Sequence, residues 1–308
     1  MQLVVLFPSR PHTPGEVEPD FAVEAAAAEA AGFKVARVDV ELLLGGEAKL
    51  RGLDGVPKGS DVIYRGWLLK EDAYERLWAA VLTAGYHLYT NLKDYLTAYH
   101  LPLWEKHLLP NVTPISIVFP KKDNVAGFPP WESIFRRIST FEGPCILKDY
   151  VKSQKHHWFD ACYIADSRDT AEVRRVTQNF LDLTGDLLVG GLVYRQFEKF
   201  KVIGTHPKSK LPLVNEWRAF MVYGQVFHVA PYWATGDYSG DKPDLATMEQ
   251  MARPLKNLPF IAADFAQKED GSWMLIEIND GGSAGIPEGS TPTQFYSDLM
   301  TGGVSATR

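Results

Sequence analysis

Cysteine is nearly missing from this chain. Only Cys145 and Cys162 occur in 308 residues, both in apolar, strand-like stretches and without CxxC spacing. So few cysteines in such contexts argue against a zinc site, and both are expected to be reduced core residues. Long hydrophobic runs are also missing: none approaches the roughly 20 residues of a membrane helix. The opening run, residues 1–7, is apolar but has no basic region before it and a Pro8-Ser9-Arg10-Pro11 turn after it, so a first strand is expected rather than a signal peptide. A cytoplasmic, reducing location without a membrane partner follows as the expectation. Basic excess is absent too. The formal net charge is -6, and no long basic run offsets it, so bulk nucleic-acid binding is not expected. No G-x-G-x-x-G follows the first strand, which argues against a dinucleotide site there. Internal repeats and low-complexity segments are absent.

What is present suits a globular enzyme. Hydrophobic residues make up 45% and charged residues 23%, and 8 Trp, 13 Tyr and 16 Phe supply a large core. The length suits two or three lobes. Through residue 90 the pattern alternates: strands at 2–7, 35–40, 61–67 and 87–90, helices at 20–31 and 71–83 closed by Gly32 and Gly85. Such alternation predicts a small parallel sheet with helices on its faces. Beyond it, 91–109 reads as a helix kinked or split at Pro102, 120–130 as a loop, 131–140 as a helix, and 145–150 as a strand with 157–164 as its antiparallel partner. A helix at 168–183 and a strand at 187–200 broken at Gly190-Gly191 follow. Residues 201–214 are basic and read as a loop. A hairpin at 216–223 and 225–229 turns through Gly224, a polar loop covers 234–243, and helices are expected at 244–258 and near 292–300.

Chemistry concentrates in four stretches. The first is Lys148, ending the strand Cys145-Ile-Leu-Lys148, followed by Lys152, Ser153 and Lys155. A lysine there contacts phosphates as a compact charge, and three lysines within eight residues suit a phosphate-covering loop better than snorkelling surface residues. The second is Val193-Tyr-Arg-Gln196-Phe197-Glu198, which can present backbone groups to an adenine and Glu198 to its ribose; a sheet strand with a surface acid is the alternative. In the third, Glu216 and Arg218 share one strand face, where Arg218 can stabilise charge on a transferring phosphoryl group; a surface ion pair is the alternative. The fourth is Phe260-Ile-Ala-Ala-Asp264, a polar turn at 268–272, then Ile276-Glu277-Ile-Asn279-Asp280-Gly-Gly. Glu277 and Asn279 project together beside a strand carrying Asp264. Two carboxylates and an amide oxygen make a hard, all-oxygen surface that suits magnesium, with manganese as its substitute, once substrate phosphates complete the coordination.

In this order the four stretches resemble the ATP-grasp family over roughly residues 90–300. Arg65-Gly66-Trp67 and the paired Lys148 and Lys152 look like the bacterial and phage clade named for one arginine and two lysines. The resemblance implies a small α/β lobe at 1–90 followed by a two-lobed α+β ATP-grasp region at 91–308, with a lid at about 120–190 and a metal and ATP lobe at 191–308. It implies that Lys148 touches the α- and β-phosphates and Arg218 the γ-phosphate or an acyl-phosphate. Lys152, Lys155, Gln196, Phe197, Glu198 and Glu216 would complete the ATP site, and Asp264, Glu277 and Asn279 would hold magnesium. Asp149 to Trp158 departs from the glycine-rich loop of many relatives.

The activity so implied is ligation of a carboxylate to an amine of an amino acid or peptide through an acyl-phosphate. A small-molecule kinase and a non-catalytic ATP-binding module are the alternatives. Arg65 ends a strand where open α/β sheets place ligands, so it is expected either to clamp an acceptor carboxylate or to act structurally between lobes. Gly282 and Ser283 are expected near the acceptor or in a plain turn. His156 and His157 read as solvated loop residues, His100 and His107 as packing residues. A homodimer stays open.

Overall fold

The computed structural model describes residues 3–122, 127–207 and 212–303. Backbone contacts divide the chain into two compact units: residues 1–98, 216–265 and 277–308 form the first, and 99–215 with 266–276 form the second.

The first unit begins as the alternation predicts. Its elements are β1 (Val4–Arg10), β2 (Thr13–Val17), α1 (Ala22–Ala30), β3 (Lys34–Val38), α2 (Val40–Leu44), β4 (Leu50–Arg51), β5 (Asp61–Tyr64), α3 (Glu71–Thr83), β6 (His87–Leu88) and α4 (Leu92–Tyr99). The sheet order is β4-β3-β1-β5-β6, with β3, β1, β5 and β6 parallel and β4 antiparallel at the edge. β2 and β4 carry too few apolar residues to show as strands in the sequence. α3 keeps the expected bounds, with Ala73, Tyr74, Leu77 and Val81 at helical spacing on its buried face. The predicted 91–109 helix is split at His100, and Pro102 sits in the first turn of α5 (Leu101–Glu105), where its missing N–H costs nothing.

The second unit continues with β7 (Ser116–Pro120), α6 (Trp131–Ile138), β8 (Cys145–Lys148), α7 (Trp158–Ala161), β9 (Tyr163–Ile164), α8 (Thr170–Thr184), β10 (Gly191–Gln196), β11 (Val202–Thr205) and β12 (Pro212–Val214). The antiparallel order is β7-β10-β8-β9. One face packs on α6 and α8 through Leu147, Tyr194, Ile138, Val173, Val176 and Phe180, with Cys145 a free thiol among them. Three expectations are corrected here. The partner of β8 is only Tyr163–Ile164, because 155–161 is helical. The broken strand begins at Gly191, where a Cβ would meet the Phe119 carbonyl oxygen at 2.3 Å; β7, not foreseen, pairs there. Residues 202–205 and 212–214 of the supposed basic loop pair as antiparallel strands. Part of that loop (208–211) and part of the 120–130 loop (123–126) lie outside the described residues.

The chain then re-enters the first unit with β13 (Glu216–Val222), β14 (Gln225–Pro231), α9 (Leu245–Ala252), β15 (Phe260–Gln267), β16 (Trp273–Asp280) and α10 (Pro292–Asp298). The strand order is β14-β13-β15-β16. Val222 pairs with Gln225, leaving Tyr223 and Gly224 as a two-residue turn with φ of 47° and 79°. Positive φ at both positions matches the right-handed twist of the hairpin. Phe220, Phe260, Phe295 and Tyr296 join Val5, Phe7 and Ile63 in one core. Burying each such phenylalanine stabilises by about 1.5–3 kcal/mol. Among the described residues no helix is long and apolar enough to cross a membrane.

Candidate active site

In the first unit, sheet order assembles the charged groups. β13 lies beside β15, and Arg218 reaches Asp264 with two parallel bonds, Nε to Oδ1 and Nη2 to Oδ2, both 2.8 Å. A third donor, Nη1, bonds the Gly285 carbonyl at 3.0 Å, and the guanidinium stands 4.8 Å from the centre of the Tyr232 ring. Burial alone would lower the pKa of Arg218. The Asp264 charge, its hydrogen bonds to the guanidinium, and the charges of Tyr232 and Glu277 together outweigh burial and hold the pKa above the ordinary value. Burial, then Asp264, Glu216 and Glu277 push the Tyr232 phenol upward. Arg218, Asp264, Glu277 and Tyr232 therefore share one electrostatic neighbourhood, with Asn279 half-buried two residues beyond Glu277 on its strand face. Glu216 is buried on β13, and its carbonyl accepts the Tyr238 hydroxyl at 3.1 Å.

The donor set fits a partial magnesium shell. It offers two carboxylates and an amide oxygen, and each carboxylate oxygen has lone pairs beyond those an arginine uses. Among the described residues no group of three or more His, Cys, Asp or Glu side chains is disposed to hold a metal alone. Oxygens from a phosphate ligand would have to complete the coordination.

Arg65 is 1% exposed. Its Nη1 bonds the carbonyls of Gly281 (2.6 Å) and Ala284 (2.7 Å), while Nε and Nη2 bond Glu24 Oε2 (3.2 and 2.8 Å). Glu24 also accepts from the Tyr296 hydroxyl at 3.2 Å, and the neighbouring Gly66 N–H bonds the Gly282 carbonyl at 3.1 Å. Of the two roles expected for Arg65, this geometry favours the structural one: it holds the loop that follows Asn279. Gly282 is tightly confined, since a Cβ would lie 2.5 Å from the Tyr64 carbonyl oxygen and 2.8 Å from Asp280 Oδ2. The Ser283 N–H bonds Asp280 Oδ2 at 3.0 Å. Asp280 is fully buried, and burial raises its pKa to about 7 against the opposing Ser283 N–H and Arg65 charge.

In the second unit Lys148 ends β8, buried, with Ser153 bridged to it across the turn. The turn is pinned by Asp149, whose Oδ1 accepts the N–H groups of Val151 and Lys152 (both 2.6 Å) and whose Oδ2 accepts that of Val189 (3.1 Å). An aspartate thus shapes the turn that carries the lysines. Lys152 and Lys155 are exposed on it. The N–H groups of Gln196 and Phe197 are taken by the carbonyls of Ile115 (2.8 Å) and Pro144 (3.0 Å), so neither is open to an adenine as expected. Phe197 and Glu198 instead line a cavity of about 480 Å³ with Trp158, Tyr163, Val202 and Pro212. Trp158 stacks on Tyr163 at 5.4 Å, and Phe197 meets Tyr163 edge-on at 5.3 Å. Lys268 lies 3.4 Å from Glu198.

Several residues here escaped sequence reasoning. Tyr232, Glu24, Trp158 and Tyr163 carried no motif. Asp280 was visible only as the tail of the Glu277-x-Asn279 stretch.

Residues 136–299 match the model of an ATP-grasp domain, family 3 of the clade named for one arginine and two lysines. The fold is similar to that of a RimK domain ATP-grasp protein from Sphaerobacter thermophilus DSM 20745, at 14% identity over 96% of this chain and 98% of that one, with a TM-score of 0.58. It is similar to the ATP-grasp ligase PsnB complexed with a minimal precursor, Mg and ADP, at 13% identity over 99% and 98%, TM-score 0.57. It is also similar to the macrocyclase MdnC bound with precursor peptide MdnA from Microcystis aeruginosa MRC, at 14% identity over 98% and 99%, TM-score 0.55. Comparison with curated protein sequences finds no match.

Proposed function

This chain belongs to the ATP-grasp family, in family 3 of the one-arginine, two-lysine clade, and we propose that it is an ATP-dependent ligase joining a carboxylate to an amine of an amino acid or peptide. The observation that carries this reading is the Arg218–Asp264 pair with Glu277 in its field: a permanently charged guanidinium fixed against the acids expected to bind magnesium. The complexes of PsnB with precursor peptide PsnA2 and of MdnC with precursor peptide MdnA support a peptide or amino-acid substrate.

In this reading a substrate carboxylate oxygen attacks the γ-phosphorus of ATP, ADP leaves, and an acyl-phosphate forms. The amine then attacks the acyl carbon and releases phosphate, giving an amide. Arg218 offsets charge on the transferring phosphoryl group from a fixed position, so little reorganisation is needed. Lys148 acts as a point charge on the phosphates, with Lys152 and Lys155 as exposed cations of the covering turn. The aromatic cavity at Phe197 suits a planar base, with Glu198 at its edge for a ribose hydroxyl. Asp264, Glu277 and Asn279 would hold magnesium, which supplies charge neutralisation at the phosphates when bound. Arg65 and Gly66 hold the loop that carries Gly282 and Ser283. Residues 1–90 would serve as the preceding lobe; the lid expected at about 120–190 extends through β10–β12, which belong to the second unit, so the metal and ATP lobe would begin at β13 rather than at 191.

The test is a substrate screen: incubation with ATP, magnesium and pooled amino acids and peptides, followed by ADP assay and mass spectrometry. Acceptor-dependent ADP and a product formed with loss of water are expected. A phosphorylated product without condensation would make the protein a kinase. Folded protein whose melting temperature does not respond to ATP and magnesium would overturn nucleotide binding altogether.

A further inference from the structure

A second cluster of cationic groups lies in the first unit, on β3 and β4. Arg37 and Arg51 are direct cross-strand partners in the antiparallel pair, so their side chains leave the sheet on one face. Like charges directly opposite one another destabilise a strand pair. Elsewhere in this unit Arg10, Arg65, Arg76 and Arg218 each reach a carboxylate within 3.0 Å. Among the described residues Arg37 and Arg51 reach none, and neither side chain makes a hydrogen bond there. Both Nε atoms are buried without an acceptor.

The surroundings do not neutralise the pair. Asp39, the acid two residues beyond Arg37, accepts the Leu42 N–H and caps α2. Glu18, held beside β1 by its N–H bond to the Pro8 carbonyl, also has a buried carboxylate oxygen without a partner and contacts neither arginine within 4.0 Å. Gly52 follows Arg51 at φ +80°, and a Cβ there would lie 3.3 Å from Arg37 Nη2, so glycine leaves room for the guanidinium. The site's place in the fold adds to this. Arg37 is the penultimate residue of β3, at the carboxyl end of its parallel pairing with β1, the end of an open α/β sheet at which ligands bind.

We propose that Arg37 and Arg51 form a binding site for a phosphate dianion, separate from the nucleotide site and independent of the ligase reading. Two guanidinium groups match the roughly -1.5 to -2 charge of a phosphate group at neutral pH, and on these half-exposed side chains the Nη groups, which no acceptor among the described residues takes, are the donors its oxygens would meet. The phosphate is either free or carried as a monoester on a small molecule.

Calorimetric titration of the full chain with inorganic phosphate and with phenyl phosphate, in the presence of magnesium and AMPPNP, tests the site. One equivalent is expected to bind, and Arg37→Gln and Arg51→Gln should each weaken binding by at least about tenfold, the loss of a charge-assisted hydrogen bond. Equal binding of both probes supports a substrate-borne phosphate; binding of inorganic phosphate alone supports the free ion. Absence of binding in the wild type, unchanged affinity in both variants, or acetate binding as tightly as phosphate would overturn the proposal. Should a glutamine variant not fold, Arg37→Lys and Arg51→Lys keep the charge, and the loss of the fork should still weaken binding. Because the readout is phosphate affinity, a failure of AMPPNP to bind would show as a separate result.

Discussion

Arg218 and Asp264 lie 46 residues apart in the chain and meet through two parallel bonds of 2.8 Å on neighbouring strands. With side chains 11% and 1% exposed, the pair is largely shielded from water. Removing one partner of a buried pair leaves the other uncompensated, at a cost of about 3–5 kcal/mol. Arg218→Ala is therefore expected to lower the urea midpoint of the nucleotide-free protein and to cut turnover by about a hundredfold or more. ATP affinity, measured by calorimetry, should stay within about tenfold. Lys148→Ala should weaken ATP binding as well as slow turnover. The reverse pattern would show that the roles of Arg218 and Lys148 are exchanged.

Glu277→Gln keeps the shape of the side chain and removes one anionic oxygen from the donor set. Turnover is expected to fall by about two orders of magnitude, equivalent to several kcal/mol of transition-state stabilisation, and the magnesium requirement should rise. The fold should persist, because Glu277 is half-exposed. Steady-state rates across a magnesium titration provide the check, and near wild-type rates throughout would remove Glu277 from the metal set.

Arg65→Ala removes two bonds to the carbonyls of Gly281 and Ala284 and leaves Glu24 largely buried without its cation. A loss of about 3–5 kcal/mol of stability is expected, with a lower kcat and little change in the Michaelis constant for the acceptor. Arg65→Lys should restore part of the stability but not both carbonyl bonds. A raised acceptor Michaelis constant at unchanged stability would instead mark Arg65 as a substrate clamp.

Asp280 sets a pH dependence. Burial raises its folded pKa to about 7, above the 3.8 of a free side chain, so the folded state holds the proton more tightly. Its contribution is fully present below about pH 4 and is lost as pH rises through about 7. At most about 4 kcal/mol is involved, from 1.36 kcal/mol per unit. Asp280→Asn keeps an acceptor for the Ser283 N–H and cannot ionise. Its stability relative to wild type, measured by urea denaturation, should increase between pH 5 and 8. A difference independent of pH would mean that Asp280 titrates in its ordinary range.

Local patterns made much of the fold legible. The Tyr223-Gly224 turn, the bounds of α3 and the strand carrying Glu277 and Asn279 each depend on residues within a few positions of one another. The β11–β12 pair and the helical 155–161 segment were misread because their short, polar or aromatic stretches show neither strand nor helix period. Residue type and spacing were enough to nominate Arg218, Asp264, Glu277 and Asn279 as a group with phosphate and metal chemistry.

The amino-acid sequence determined which side chains are candidates for that chemistry and which strands present them, because strand alternation and turn preference act locally. Only the tertiary structure decided their partners. Placing β13 beside β15 gives Asp264 to Arg218, and folding the chain back brings Gly281 and Ala284, 216 and 219 residues away, onto Arg65. The same packing pairs Arg37 with Arg51 and leaves both without an acid among the described residues. Strand order and burial are set by the summed packing of the whole core, and no local run of residues encodes them.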